Sequence, residues 1–251
     1  MPVRSSPDGR FRSSATTHVG AVRNHNEDRF VDRPDLGLWA VADGAGGHQA
    51  GEVASAKIAE LLEAIPVHLD APQVLAEVRQ RLADAHRVLQ QEAARRGGGA
   101  VVASTVVVLL ARDAHFACLW AGDSRAYLLR DGQFAQVTRD HSLVQELVDS
   151  GMISAEQALN HPQGNVITRA VGSDSEALDL EKVTGQLLPG DRFLLCSDGL
   201  SKTVPDAEIA AIMRDPRGAA VTDRLIEVAL GYRVNDNVTA VAVEVDGRGA
   251  G

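Results

Sequence analysis

Two aspartates sit where apolar runs stop: Asp43 near the end of GLWAVADG (residues 37–44) and Asp198 near the end of RFLLCSDG (residues 192–199). The ordinary reading of an Asp-Gly pair is a tight turn. Of the five such pairs in the chain, Asp131-Gly132 and the two nearest the termini fit it. The pairs at 43 and 198 differ, because a strongly apolar strand would leave its terminal carboxylate at the rim of a buried sheet. Such a charge requires a partner, since burying it alone costs several kcal/mol, and a metal ion is one such partner. Asp123, in LWAGDSR, and Asp236, just before the apolar run from Val238 to Val245, have the same character. Near the start, Arg23 precedes Glu27-Asp28 and adds a guanidinium and two more carboxylates. An oxygen-rich set of this kind, with no Cys or His at zinc spacing, selects hard cations such as magnesium or manganese.

The elements that must position these side chains follow from periodicity. Residues 38–42 read as a buried strand. Helical spacing predicts one helix over 50–65 and a second over about 72–96, ended by Gly97-Gly98-Gly99. Residues 101–111, 115–121, 125–130 and 133–137 read as consecutive strands, the last two joined by the Asp131-Gly132 hairpin. Polar residues 141–170 form an exposed insertion, or flap, followed by strands near 178–183, 191–197 and 237–245 and a helix over about 219–230. This order implies antiparallel sheets covered by helices. The expected organisation is a flexible arm over residues 1–14, one domain over 15–246 and a flexible tail over 247–251.

A formal charge of −9 and a pI near 5.3 argue against a nucleic-acid partner, which would demand a surplus of Lys and Arg. Cys118 and Cys196 lie in apolar runs and read as core thiols. No apolar stretch has signal-peptide or membrane-span length, so the expected location is the cytoplasm, with no membrane partner.

Seven segments, VRNHNED, VADGAGGHQAGEVAS, AGDSRAYLLRDG, TRDHS, ITRAVG, FLLCSDGL and NDNVTAV, occur in the order found in the metal-dependent type 2C serine/threonine protein phosphatases, the PPM family, in its compact bacterial form. The chain resembles that family from about Thr16 to Val245. The resemblance implies an α/β (α+β) four-layer α-β-β-α sandwich with two central antiparallel sheets and metals at one edge. It implies hydrolysis of phosphoserine and phosphothreonine in proteins by a metal-bridged hydroxide, with two to three Mn2+ or Mg2+ ions. Asp43 would bridge two metals, with Asp198 and Asp236 completing the first site. Glu27 and the Gly44 carbonyl would serve the second, and Asp28 would support its water network. Asp123 with Asp198 would hold a third, weaker ion, and Arg23 would bind phosphate. Implied partners are phosphorylated proteins, a bacterial Ser/Thr kinase and its substrates, met by a monomer.

One departure concerns the general acid. Animal members carry a histidine directly after the Asp-Gly, whereas this chain has Ala45; a metal-bound water and His48 both stand as replacements. His141 reads as structural. Gly46-Gly47-His48-Gln49-Ala50-Gly51 lacks the Lys-Ser/Thr of a P-loop. A serine esterase built on Ser124 would leave the aspartates unexplained. The rival from another class is a phosphatase-like module that only binds phosphoproteins; its mark would be a missing metal aspartate, and Asp43, Asp198 and Asp236 are all present.

Overall fold

Alternation along the strands sorts their side chains into layers. The computed structural model describes residues 3–46, 49–215 and 221–246. Its strands are β1 (Arg4–Ser5), β2 (Phe11–His18), β3 (Asp28–Arg33), β4 (Leu38–Ala45), β5 (Ala103–Ser104), β6 (Val106–Arg112), β7 (His115–Ala121), β8 (Arg125–Arg130), β9 (Gln133–Gln136), β10 (Glu181–Gln186), β11 (Arg192–Cys196) and β12 (Val238–Val245). Its helices are α1 (Ala50–Glu63), α2 (Ala71–Arg96), α3 (Leu143–Asp149), α4 (Ala155–Leu159), α5 (Asp198–Ser201), α6 (Asp206–Arg214) and α7 (Val221–Gly231). One sheet runs β1-β2-β12-β11-β8-β9, the other β10-β7-β6-β4-β3 with β5 on β4, and the strand pairs are antiparallel.

Successive residues of a strand face opposite sides, and the three apolar cores divide accordingly. Trp39, Val41, Val107, Leu109, Cys118 and Trp120 of one sheet meet Phe11, Phe193, Leu195, Val241 and Val243 of the other in the middle of the sandwich. Their neighbours Leu38, Ala40, Val106 and Val108 face outward onto Ile58 and Leu62 of α1 and Val78, Leu82 and Leu89 of α2. On the far side Leu194, Cys196 and Ala240 pack on Leu200, Ile209, Met213, Leu225 and Ile226 of α5, α6 and α7. The four layers expected from the resemblance are therefore present. The long α2 starts at Asp70, whose side chain accepts from Gln73 N while Asp70 N donates to the Gln73 side chain, a reciprocal cap that satisfies two orphan donors.

Residues 3–14 are not a flexible arm. β1 and the start of β2 take up half of them, β2 pairs along its full length with β12, and Phe11 and Ser13 are buried. Ser13 Oγ donates to Asp32 Oδ1 at 2.6 Å, which Trp39 Nε1 also reaches at 3.0 Å, so a polar strand is buried by hydrogen bonding between the sheets. The single strand expected over 101–111 breaks at Thr105, whose hydroxyl is turned to the Asp43 backbone. α6, and the strand β3 beyond Glu27, were not read from the sequence. The expected tail, residues 247–251, lies outside the described residues. Residues 141–170 make a helical excursion, α3 and α4, closed at its base by a bridge between Ser142 and Ile167. Among the described residues no helix is long and apolar enough to cross a membrane.

Candidate active site

Pairing of β3 with β4 sets Asp28 directly opposite Asp43, an arrangement of like charges that is destabilising unless something neutralises it. Asp28 is 1% exposed. Its Oδ2 accepts from Ser197 Oγ and Thr239 Oγ1, both at 2.7 Å, while its Oδ1 has no partner among the described residues. Thr239 belongs to β12 of the opposite sheet and Ser197 directly follows β11 of that sheet, so Asp28 clasps the two sheets at this edge. Ser197 Oγ in turn accepts from Thr239 N at 3.0 Å, and Thr239 Oγ1 lies 2.7 Å from Thr17 Oγ1, which accepts from Asn26 Nδ2 at 2.8 Å.

The other acidic groups arrive at the same edge from different elements. Asp43 is fixed through its backbone: its N donates to Thr105 Oγ1, and its carbonyl accepts from Thr105 N and Ser104 Oγ, both at 2.9 Å. Asp198 opens α5 directly after β11, and Asp123 lies in the turn between β7 and β8. Asp236 precedes β12 and accepts from Arg23 Nη2 at 2.8 Å, with the arginine side chain 51% exposed. Lys202 Nζ donates at 2.8 Å both to Asp123 Oδ2 and to Asp198 Oδ2, while the buried Asp123 Oδ1 has no partner among the described residues.

Small and polar residues allow these approaches. A Cβ on Gly44 would lie 2.1 Å from the Gly51 carbonyl oxygen and 2.8 Å from that of Glu27. Its glycine is thus required first by the packing of α1 against β4, a different reason from the access to an ion that the sequence suggests. A Cβ on Gly199 would meet the Asn237 carbonyl oxygen at 1.9 Å. The Asn237 carboxamide ties down the loop carrying Arg23 and Glu27: its Oδ1 accepts from Glu27 N at 2.8 Å, and its Nδ2 donates to the carbonyls of Val19 and His25 at 2.9 and 2.8 Å.

Burial and mutual repulsion raise these carboxylates. Asp28 is pushed up to about 7, by burial first and then by Asp198 and Asp236, against the opposing bonds from Thr239 and Ser197. Asp43 is driven well above the usual carboxylate range by burial, then by Asp28, Asp198, Asp123 and Asp236. Burial and Asp198 lift Asp123 to about 6 even with Lys202 beside it. Among the described residues, no group of three or more His, Cys, Asp or Glu side chains is arranged to hold an ion by itself. The chain's own cations explain part of this, because Arg23 draws Asp236 aside and Lys202 draws Asp123 and Asp198. What remains suits hard cations: oxygen donors, an excess of negative charge and an orphaned oxygen on Asp28.

Thus Arg23, Glu27, Asp28, Asp43, Gly44, Asp123, Asp198 and Asp236 share one edge, and His48 lies outside the described residues. Asp28 is placed as a direct inter-sheet clasp, a role the sequence did not suggest. Ser197, Thr239, Asn237 and Lys202 were missed, although all four lie within or beside the FLLCSDGL and NDNVTAV segments. His141 is a strut: its Nδ1 accepts from Gly122 N at 3.2 Å and its ring stacks on Trp120. Ser124 is buried with its hydroxyl 2.7 Å from Thr105 Oγ1, not presented as a nucleophile.

Residues 20–235 match the family model for protein phosphatase 2C. The chain is 37% identical over 239 residues to the serine/threonine protein phosphatase PstP of Mycobacterium tuberculosis, covering 94% of this chain but 45% of that protein, so it spans about half the relative's length. Among solved structures, PppA of Pseudomonas aeruginosa, described as a key regulatory component of T6SS, superposes with a TM-score of 0.86 at 42% identity over 98% of this chain and 100% of that one. The catalytic domain of PstP in complex with two manganese ions superposes with a TM-score of 0.84 at 34% identity, covering 94% of this chain and 98% of that one.

Proposed function

This chain belongs to the protein phosphatase 2C family, and from that premise we propose that it hydrolyses phosphoserine and phosphothreonine in proteins with two divalent cations, Mn2+ or Mg2+, at the Asp43 edge. The observation that carries this reading is the confrontation of Asp28 and Asp43, with Asp28 Oδ1 orphaned, within a ring of further carboxylates. Carboxylates raised by burial and by one another in this way cluster at functional sites.

Asp43, Asp198 and Asp236 would hold one ion; Asp43, Glu27 and the Gly44 carbonyl would serve the second. When bound, such ions lower the pKa of water toward neutrality and neutralise phosphoryl oxygens. The chain's residues supply the rest. Ser104 and Thr105 fix the Asp43 backbone, Asn237 fixes the loop of Glu27, and Asp28 holds the two sheets in register. Arg23, half-exposed and bonded to Asp236, can exchange that carboxylate for a phosphoryl oxygen, for which its planar fork is suited. Leaving-group protonation falls to His48 or to water. The partners are phosphorylated proteins, among them a Ser/Thr kinase and its substrates, met by a cytoplasmic monomer. The flap, residues 141–170, bears on which of them is accepted.

Hydrolysis of a phosphothreonine peptide with and without Mn2+ tests the reading. Metal-dependent release of phosphate supports it. A folded, metal-binding protein that retains phosphopeptides without cleaving them would instead establish the binding-module reading.

A further inference from the structure

Among the described residues at this edge, Lys202 is the one whose ammonium touches two acidic side chains and the flap together. It follows α5, its N donating to the Asp198 carbonyl at 2.8 Å, so its side chain returns over the first turn. Its Nζ lies 2.8 Å from Asp123 Oδ2, 2.8 Å from Asp198 Oδ2 and 3.1 Å from Asn165 Oδ1, three oxygens from three separate parts of the chain. An ammonium has three donors, and all three are used. Asp123 is 1% exposed while the Lys202 side chain keeps 33% of its surface, so the ammonium joins a buried carboxylate to the solvent-facing rim of the edge.

We propose that the Lys202 ammonium is a built-in cation that takes the place of a third metal ion between Asp123 and Asp198 and, through Asn165, fastens the flap to the metal edge. Asp123 and Asp198 are the residues expected from the sequence to share a weak third ion, and the structure does not fit that expectation. Each already gives one oxygen to Lys202, and a divalent ion on the same two carboxylates would lie against the ammonium, where like charges repel. The lysine also provides a route from substrate to site. Any contact that draws Asn165 away from Lys202 removes an acceptor from an ammonium bonded to Asp198, so flap position and the acidic edge are linked through one side chain.

The inference rests on the two-ion reading above for its setting, but its test counts ions without requiring turnover. Mn2+ per chain is measured by elemental analysis and by titration of free Mn2+ followed by electron paramagnetic resonance. The wild type is compared with Lys202→Ala, Lys202→Met and the double variant Lys202→Ala/Asp123→Asn. Lys202→Met retains the aliphatic stem and guards against loss of fold. The expected result is one additional, weaker ion in both single variants, lost again in the double variant. Amide exchange over residues 155–166 should also rise at least several-fold in both single variants. Equal ion counts in wild type and the Lys202 variants would overturn the cation substitution, and unchanged exchange over 155–166 would overturn the tether. A wild-type count below two would fall on the two-ion reading instead, because the lysine is tested by the difference between variants.

Discussion

Replacing Asp28 by asparagine should stabilise the metal-free protein at neutral and alkaline pH, although it alters a fully buried residue in the seam between the sheets. An aspartate whose folded pKa is raised favours the fold most when protonated. Its stabilising contribution is complete below the unfolded value and is lost as pH rises through the folded one. Asp28 moves from 3.8 to about 7, so the window runs from about pH 4 to about pH 7. At 1.36 kcal/mol per pH unit, the penalty grows from under about 1 kcal/mol at pH 4 to at most about 4 kcal/mol at pH 8. The carboxamide of the Asp28→Asn variant can keep its carbonyl oxygen on Ser197 and Thr239 while its NH2 faces Asp43, retaining both bonds without the charge. For a domain of this size, about 4 kcal/mol corresponds to a Tm increase of roughly 8–16 °C. The assay is thermal unfolding followed by circular dichroism in EDTA from pH 4 to 8, on wild type and Asp28→Asn. The two should coincide near pH 4 and separate as pH rises, and saturating Mn2+ should narrow the gap by stabilising the wild type more. A variant less stable than wild type at every pH would show that hydrogen bonding at Asp28 outweighs repulsion, and the electrostatic reasoning would fail.

Other substitutions probe the supports. Asn237→Ala removes three bonds to the loop carrying Glu27; urea unfolding should show a loss of about 2–4 kcal/mol, and Mn2+ affinity should fall by roughly 10- to 100-fold. Gly199→Ala places a methyl group where the Asn237 carbonyl stands, so it should destabilise by more than about 2 kcal/mol and weaken metal binding, whereas Gly190→Ala, whose Cβ would meet nothing within 4 Å, should leave metal binding intact. Arg23→Ala should raise KM for a phosphothreonine peptide by roughly 10- to 100-fold, the value of a charged hydrogen bond, with Arg23→Lys recovering only part; an unchanged KM would leave Arg23 as an ion-pair residue. As pH falls below about 7, protons taken up by Asp28 and by Asp43, both raised by burial first, should remove negative charge from the edge that holds Mn2+, and calorimetry should record weaker binding.

Much of this site could be read from the sequence because its carboxylates terminate runs that no solvent-exposed strand would have. Trp39, Val41, Leu194 and Leu195 announce buried strands, and an aspartate at the end of each is conspicuous against them. The long helix was equally legible, since Val74, Val78, Leu82, Ala85 and Leu89 recur on one face. β2 was not, because Ser13, Ser14 and their neighbours lack the apolar pattern, and Ser13 is buried by hydrogen bonding to a residue 19 positions away. Lys202 was missed for a similar reason. Asp198, four residues earlier, could have suggested it by helical spacing, but Asp123 is 79 positions distant and Asn165 is 37. Pairings across such separations are set by the stacking of two sheets, which periodicity within one segment does not encode.

The most direct test of the central claim compares wild type with Asp43→Asn and Asp198→Asn, measuring Mn2+ binding by calorimetry and phosphothreonine-peptide hydrolysis on the same folded preparations. Loss of tight Mn2+ binding in both variants, with hydrolysis reduced by more than about 100-fold, beyond the roughly 10- to 100-fold that loss of an outer partner of a metal ligand brings, is the expected result. Hydrolysis that survives in either variant, or that proceeds undiminished in EDTA, would contradict the assignment of this acidic edge as the metal centre of a phosphatase.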